Sequence, residues 1–218
     1  MTPTHTTTPP LGRRERNKQK VKERLYDAAI TLFAEQGYDE TSIDLIAERA
    51  DVARGTFFNY FQRKEDLLGA WGEKRRDQLL TTMNTTTTPT DTAITQLRTC
   101  MTALGQLNEN HQQETNALLM AWVRAGRPLL EDPYLAELFA TIAAHGIQHG
   151  ELNPHYTPHQ IGNTLRDLYL GTLYRWCAPP THTTPTTPPT PLTTQLHTTL
   201  DLILQGIQTT TEDTKAET

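Results

Sequence analysis

Only three residues, Asp51-Val52-Ala53, separate two stretches whose apolar residues fall at helical spacing. Ile43, Ile46 and Ala47 precede them, and Phe57 and Phe61 follow, four apart. Three residues are too few to carry a chain across a domain. They fit the tight turn of a helix-turn-helix, whose two helices cross at about 90–120°. The preceding stretch, residues 16–36, reads as an amphipathic helix: Val21, Leu25, Ala28, Ala29, Leu32 and Phe33 recur every three or four positions until Gly37 stops it. Thr41-Ser42-Ile43-Asp44 then reads as a capping box, with Thr41 or Ser42 as the cap. After the turn, residues 54–61 predict about two further turns of helix. A longer helix starts near Lys64 and runs through Leu67, Leu68, Trp71 and Leu79 towards Met83. Its charged middle, Glu73 to Asp77, is expected in solvent or facing the N-terminal domain.

Charge distribution says which end of the chain meets a polyanion. The net charge of −5 argues against a nucleic-acid binder until it is divided. Residues 1–64 carry a net charge of +2 and the remainder −7. Arg13, Arg14, Arg16, Lys18, Lys20, Lys22 and Arg24 face only Glu15 and Glu23. A basic arm before an acidic body suits a protein that touches nucleic acid at one end, although a charge run alone is more often a solvated face.

The segment from Phe33 to Leu68, FAEQGYDETSIDLIAERADVARGTFFNYFQRKEDLL, resembles the DNA-binding domain of the tetracycline-repressor (TetR) family of bacterial regulators. The likeness covers about fifty residues. It rests on Leu32-Phe33 with Gly37-Tyr38, Thr41-Ser42, Ile46-Ala47, and Gly55-Thr56-Phe57-Phe58-x-Tyr60-Phe61-x-x-Lys64-Glu65-x-Leu67. The resemblance implies an all-α protein, with an N-terminal three-helix DNA-binding domain and a C-terminal helical bundle that binds a ligand and dimerises. The expected division is a disordered tail at 1–12, the helix-turn-helix domain at 13–64, the ligand and dimerisation domain at 65–209, and a disordered tail at 210–218.

A recognition helix puts its N-terminal residues on base edges in the major groove. Here those are Arg54, Gly55 and Thr56. Arg54 carries the fork that matches guanine O6 and N7, and Thr56 can bond a base or touch a thymine methyl. Phosphate contact or solvent are the other destinations for Arg54. Phe57 and Phe61 should be core, whereas Phe58, Asn59 and Tyr60 emerge on or beside the DNA face. Tyr60 is either a phosphate donor or a core residue with its hydroxyl exposed. The resemblance implies DNA contacts at Thr41, Ser42, Arg54, Gly55, Thr56, Asn59, Tyr60 and Lys64, and the basic arm could follow the backbone or dip into the minor groove. Three positions depart from the family pattern: Asp51 where glycine is commonest, Ala53 where Ser or Thr caps the recognition helix, and Phe58 in place of a frequent Tyr. The second costs about 1 kcal/mol of helix stability. The third leaves a DNA-facing ring that cannot donate to a phosphate.

Beyond the Thr/Pro linker at 85–92, no alternating strand pattern is found. Helices are predicted at about 92–109, 113–126, 133–149, 158–177 and 191–208, with a second Thr/Pro-rich loop at 178–191. The last two would form the dimer interface through Leu165, Leu168, Leu173 and Trp176 on one and Leu196, Leu200, Ile203 and Ile207 on the other, making a four-helix bundle across a dyad. The alternative is that these faces complete the monomer core. A ligand pocket is expected among Met101, Leu104, Trp122, Phe139, Ile142 and Tyr169, for a small-molecule inducer that releases the protein from a palindromic operator.

His145, His149, His155 and His159 form two i, i+4 pairs and offer the rival reading of a metal-binding protein. The glutamate of an HExxH motif is absent, so solvated or core histidines are the simpler reading and no metal is expected. There is no GxSxG, P-loop or GxGxxG, and Cys100 and Cys177 make no CxxC pair. No enzyme and no cofactor are expected. Without an apolar run of membrane length or a signal-like start, the expected location is the cytoplasm.

Overall fold

The computed structural model describes residues 12–88, 90–127, 134–178 and 190–207. The expected tails at 1–12 and 210–218, save Gly12, and most of the 178–191 loop lie outside them. The described residues form helices α1 (Arg13–Gln36), α2 (Ile43–Arg49), α3 (Arg54–Phe57), α4 (Glu65–Thr86), α5 (Ala93–Glu109), α6 (Gln112–Arg124), α7 (Tyr134–Gln148), α8 (Pro158–Cys177) and α9 (Leu192–Ile207). No strand occurs among them. The chain divides into two compact units.

The first unit extends through Trp71 and takes in Ala117–Ala125 of α6. It is therefore wider than a 13–64 domain and discontinuous in sequence. The reason is apolar surface: α1, α2 and α3 leave a face uncovered, and Leu118 and Ala121 of α6, with Leu67, Leu68 and Trp71 of α4, complete the core around Leu25, Phe33, Ile46 and Phe57. Trp122, expected in the ligand pocket, packs against this same core. An ion pair between Arg124 and Asp39, 2.8 Å, adds to the attachment of the α6 segment.

Within the second unit α7 and α8 pack together most extensively, α5 and α9 next. Small residues permit the approach: a Cβ on Gly162 would come within 2.8 Å of the Ala140 backbone nitrogen, so α8 lies directly on the α7 backbone. The helix starts are specified locally. Thr92 caps α5, and Thr157 with Gln160 makes a reciprocal capping box before Pro158 opens α8. The Glu109 carboxylate accepts from the Thr193 backbone N–H at 2.7 Å, tying the end of α5 to the start of α9.

The charged middle of α4 is not uniformly solvated. Glu73, Lys74, Arg76 and Asp77 are exposed, but Arg75 is buried. Its guanidinium donates to the Leu107 carbonyl (3.0 Å), Asn108 Oδ1 (3.2 Å), Glu114 Oε1 (3.3 Å) and Thr115 Oγ1 (3.1 Å). Asn108 Nδ2 in turn donates to the Tyr169 hydroxyl at 3.1 Å. A buried cation needs such partners because its hydration is lost. Burial raises the Tyr169 phenol well above its ordinary range.

Candidate nucleic-acid interface

The outward edge of the first unit starts from the turn between α1 and α2. Gly37 sits at φ +91°, a left-handed conformation that L side chains rarely adopt, and closes α1. Thr41, an expected DNA contact, is buried there: its hydroxyl donates to the Gly37 carbonyl at 2.8 Å and accepts from Gln36 Nε2 at 3.2 Å. Lys64, expected to present a point charge to phosphate, instead turns inward. Its ammonium donates to the Tyr38 carbonyl (2.7 Å) and the Thr41 carbonyl (2.9 Å), and lies 4.2 Å from the Tyr38 ring centre. Both residues bond within the first unit. Ser42, not Thr41, is the cap of α2, accepting from the Leu45 N–H at 3.2 Å.

In the three-residue turn Asp51, standing where glycine is commonest in the family, adopts φ +52°. Arg24 supports it. Its Nη2 donates to the Ala50 carbonyl and, at 2.8 Å, to the Asp51 carbonyl, while the Asp51 carboxylate lies 3.5 Å away. Orphan carbonyls at the end of α2 thereby find a cationic donor. Arg24 thus serves the turn rather than the basic arm. The arm itself is not extended over the described residues: α1 begins at Arg13, so residues 13–24 are helical. The basic residues Arg13, Arg14, Arg16, Lys18, Lys20 and Lys22 are exposed on it.

The recognition helix is shorter than the expected two turns. α3 spans Arg54–Phe57, and its N-cap, Ala53, makes no side-chain bond. The chain then continues in tight turns, with Asn59 N–H donating to Thr56 O (3.2 Å), Tyr60 N–H to Phe57 O (2.9 Å) and Phe61 N–H to Phe57 O (3.0 Å). Asp66 accepts from the backbone N–H groups of Gln62 and Arg63, at 2.8 and 2.9 Å, and fixes where α4 starts. Phe57 and Phe61 are buried, as expected, with ring centres 5.7 Å apart.

What remains outward is a continuous set. Ser42, Asp44, Arg54, Gly55, Phe58 and Asn59 are exposed, and Thr56 and Tyr60 are half-buried. Tyr60 packs its ring against the core. Nothing lies within 4 Å of where a Gly55 Cβ would stand, so its lack of a side chain answers no need inside the chain and leaves the backbone open to an approaching surface. Phe58 is 47% exposed, edge-on to Phe57. Arg54 Nε lies 3.2 Å from Asp44 Oδ1.

Residues 25–71 match the family model of bacterial regulatory proteins of the tetR family. The match begins and ends on residues of this same core, Leu25 and Trp71. Residues 25–71 are a TetR-family DNA-binding domain. The protein is a DNA-binding transcriptional regulator. Over 166 residues, 76% of this chain and 78% of the relative, the protein is 25% identical to the HTH-type transcriptional repressor KstR of Mycolicibacterium smegmatis. Among solved structures it is similar to FadR of Thermus thermophilus, a TetR family transcriptional repressor in complex with lauroyl-CoA, at a TM-score of 0.67 and 28% identity over 87% of this chain and 96% of that one. SmeT, the repressor of a Stenotrophomonas maltophilia multidrug efflux pump, shares the fold at a TM-score of 0.68 and 20% identity, covering 87% and 91% of the two chains. These relatives are regulators rather than enzymes. No helix among the described residues is long and apolar enough to cross a membrane.

Elsewhere the chain distributes the expected residues differently. Met101, Leu104, Phe139, Ile142 and Tyr169 are all buried in the second unit, while Trp122 belongs to the first. A groove of about 460 Å³ in the second unit is lined by Lys74, Asp77, Gln78, Thr81, Thr82 and Leu107, none of them among the six expected. Of the expected dimer face, Leu165, Leu173, Leu196 and Leu200 are already buried within one chain. Leu168, Trp176, Ile203 and Ile207 remain half-exposed, and the neighbouring Leu202 is 65% exposed. Helical periodicity gives an apolar face but not which chain covers it.

The four histidines do not converge. His145 and His149 stack at 4.1 Å, His155 meets the Tyr156 ring at 5.3 Å, and His159 lies 3.7 Å from a Glu137 oxygen. Among the described residues no group of three or more His, Cys, Asp or Glu side chains is placed to hold a metal ion. Burial pushes the Cys100 thiol up to about 12 and the Cys177 thiol to about 11, so both are neutral at ordinary pH and poor nucleophiles.

Proposed function

We propose that this protein is a repressor that binds a roughly palindromic operator as a homodimer and leaves it when a small-molecule inducer binds the second unit. The observation that carries the reading is the outward set at the start of α3: Arg54, Gly55 and Thr56 on a helix-turn-helix whose Thr41 and Lys64 side chains bond inside the domain. In this reading Arg54 and Thr56 meet base edges, Gly55 lets the backbone approach, and Ser42, Asn59 and Tyr60 bond phosphates. Phe58, lacking a hydroxyl, contacts sugar or a thymine methyl. Repression needs no further machinery, since occupying a promoter suffices. Lauroyl-CoA, the ligand of the T. thermophilus relative, is the first inducer to test.

The test is fluorescence anisotropy with duplexes tiling the DNA beside this protein's own gene, at two salt concentrations, with and without lauroyl-CoA. Expected is tight binding to one roughly palindromic tile, weakening steeply with salt as phosphates release counterions. Equal, weak binding to every tile would overturn operator recognition. Operator affinity indifferent to lauroyl-CoA and to other acyl thioesters would remove the fatty-acyl arm alone.

Dimerisation makes a separate expectation. Leu202 leaves most of its surface in water on a helix whose other leucines are buried, which suits a residue covered by a second copy. Leu202→Glu should convert the dimer to a monomer in sedimentation equilibrium with unchanged helical circular dichroism. An unaltered dimer would move the interface off α9.

A further inference from the structure

We infer that the first two turns of α1 carry a second DNA-binding surface, a stripe of Arg13, Arg16 and Lys20 that meets phosphates beside the bases read by α3. The inference rests on the DNA-reading role of the outward edge. Residues 13–20 are helical and exposed. The first side chain of α1 to pack on the core is Val21, and the first to be fully buried is Leu25. The outer turns therefore add nothing to the core of the first unit. They also go against the rules for a stable helix end. Gly12 supplies no side-chain cap, and Arg13, Arg14 and Arg16 crowd the positive end of the helix dipole, where Glu15 is the acid of the first turn. Arg14, Lys18 and Lys22 repeat at four-residue spacing, as do Arg16, Lys20 and Arg24, and like charges so placed repel along a helix. Local conflicts of this kind mark functional surface, and a polyanion would turn each of them into an attraction.

Which face meets DNA follows from Arg24. At about 100° per residue, Arg13, Arg16, Lys20 and Arg24 fall within about 80° of one another, in a stripe about 16 Å long. Arg24 ends that stripe on the carbonyls of Ala50 and Asp51, just before Arg54 opens α3. Arg14, Lys18 and Lys22 lie on roughly the opposite side, and the Lys22 ammonium ends 5.9 Å from the centre of the Phe61 ring. The first stripe thus leads away from the start of the recognition helix, turn by turn, over a length on which one DNA strand carries about five phosphates. Contacts to the backbone fix register without reading sequence. The stripe should therefore add affinity and salt dependence on every duplex alike.

The test removes equal charge from the two faces of α1 in the full-length protein. Arg13→Gln/Arg16→Gln/Lys20→Gln strips the stripe that Arg24 ends, and Arg14→Gln/Lys18→Gln/Lys22→Gln strips the other. Glutamine has a helix propensity close to that of lysine and arginine, and helical circular dichroism checks that α1 persists. Affinities for the operator and for a random duplex are measured across a range of salt. The first variant should flatten the slope of log affinity against log salt by about 2 to 3 per bound protomer, on both duplexes. The ratio of the two affinities should stay at the wild-type value. Arg13→Lys/Arg16→Lys, which keeps the charge, should keep the wild-type slope. The second triple variant should change the slope by less than about one. Equal flattening by the two triple variants would make the arm an unoriented charge and overturn the proposal; so would flattening by neither, or mainly by the second. A loss confined to the operator at unchanged slope would show damage to the recognition helix and overturns it too. If wild type binds every duplex equally, operator reading fails, and the slopes on the random duplex still decide the stripe.

Discussion

Replacing Arg54 with alanine should lower operator affinity by roughly 30-fold to more than 10⁴-fold. A bidentate arginine–guanine pair carries about 1–3 kcal/mol of discrimination, and a dimer would present two copies, about 2–6 kcal/mol together. The fold should not suffer. Arg54 is exposed at the first position of α3, its ion pair with Asp44 is solvated, and alanine is the better helix former. Arg54→Lys separates charge from geometry: it keeps the attraction to phosphate but lacks the fork, so it should bind the operator and a random duplex with nearly equal affinity. The salt dependence identifies the contact. Loss of a base contact leaves the slope of log affinity against log salt nearly unchanged, whereas loss of a phosphate contact reduces it by about one per copy. A uniform loss across sequences with a shallower slope would assign Arg54 to the backbone.

The parts of this protein that were legible in its sequence are those set by local rules. Helical spacing and stop signals located α5, α8 and α9 to within a residue or so, because Thr92, Thr157 and Pro158 act on the backbone beside them. The pair of buried phenylalanines followed from their four-residue spacing. Long cationic side chains defeated the same reasoning. Lys64, Arg24 and Arg75 were legible as charges, and each was expected in solvent or on DNA. Their partners lie 23 to 40 residues away along the chain, and nothing in the spacing of a lysine or arginine announces an acceptor on another helix. For Arg24 a signal did exist: Asp51 stands where glycine is commonest, and a non-glycine held in the left-handed conformation implies a nearby group that supports it. Amphipathic faces are legible only in part. The spacing of Leu165, Leu173, Leu196 and Leu200 fits an intersubunit surface or the monomer core, and that of Trp122 a pocket or core; all five are buried in or against their own unit, because periodicity reports that a face is buried without naming what buries it.

Arg75 gives the largest expected effect on stability. Arg75→Met keeps the aliphatic volume and removes the guanidinium, leaving Asn108 Oδ1, the Leu107 carbonyl and the Thr115 hydroxyl short of a donor and Glu114 without its cation. Breaking a buried pair from one side costs about 3–5 kcal/mol. The Glu114 side chain keeps 24% of its exposure, so water can reach it and the lower end of that range is expected. Arg75→Lys should recover little, since one ammonium cannot span acceptors on the α5 carboxyl end and on α6 at once. Removing both charges tests the mechanism: Arg75→Met/Glu114→Gln should be more stable than Arg75→Met, because an uncompensated carboxylate, not a missing attraction, is then the main loss. Hydrogen exchange in α5 and α8 under native conditions reads the second unit directly and does not require the whole chain to unfold as one. If Arg75→Met shifts protection there by less than about 1 kcal/mol, the network behaves as a surface ion pair. If the double variant is the worse of the two, Arg75 and Glu114 each hold the junction of α5 and α6 through neutral partners, and the charge between them is incidental.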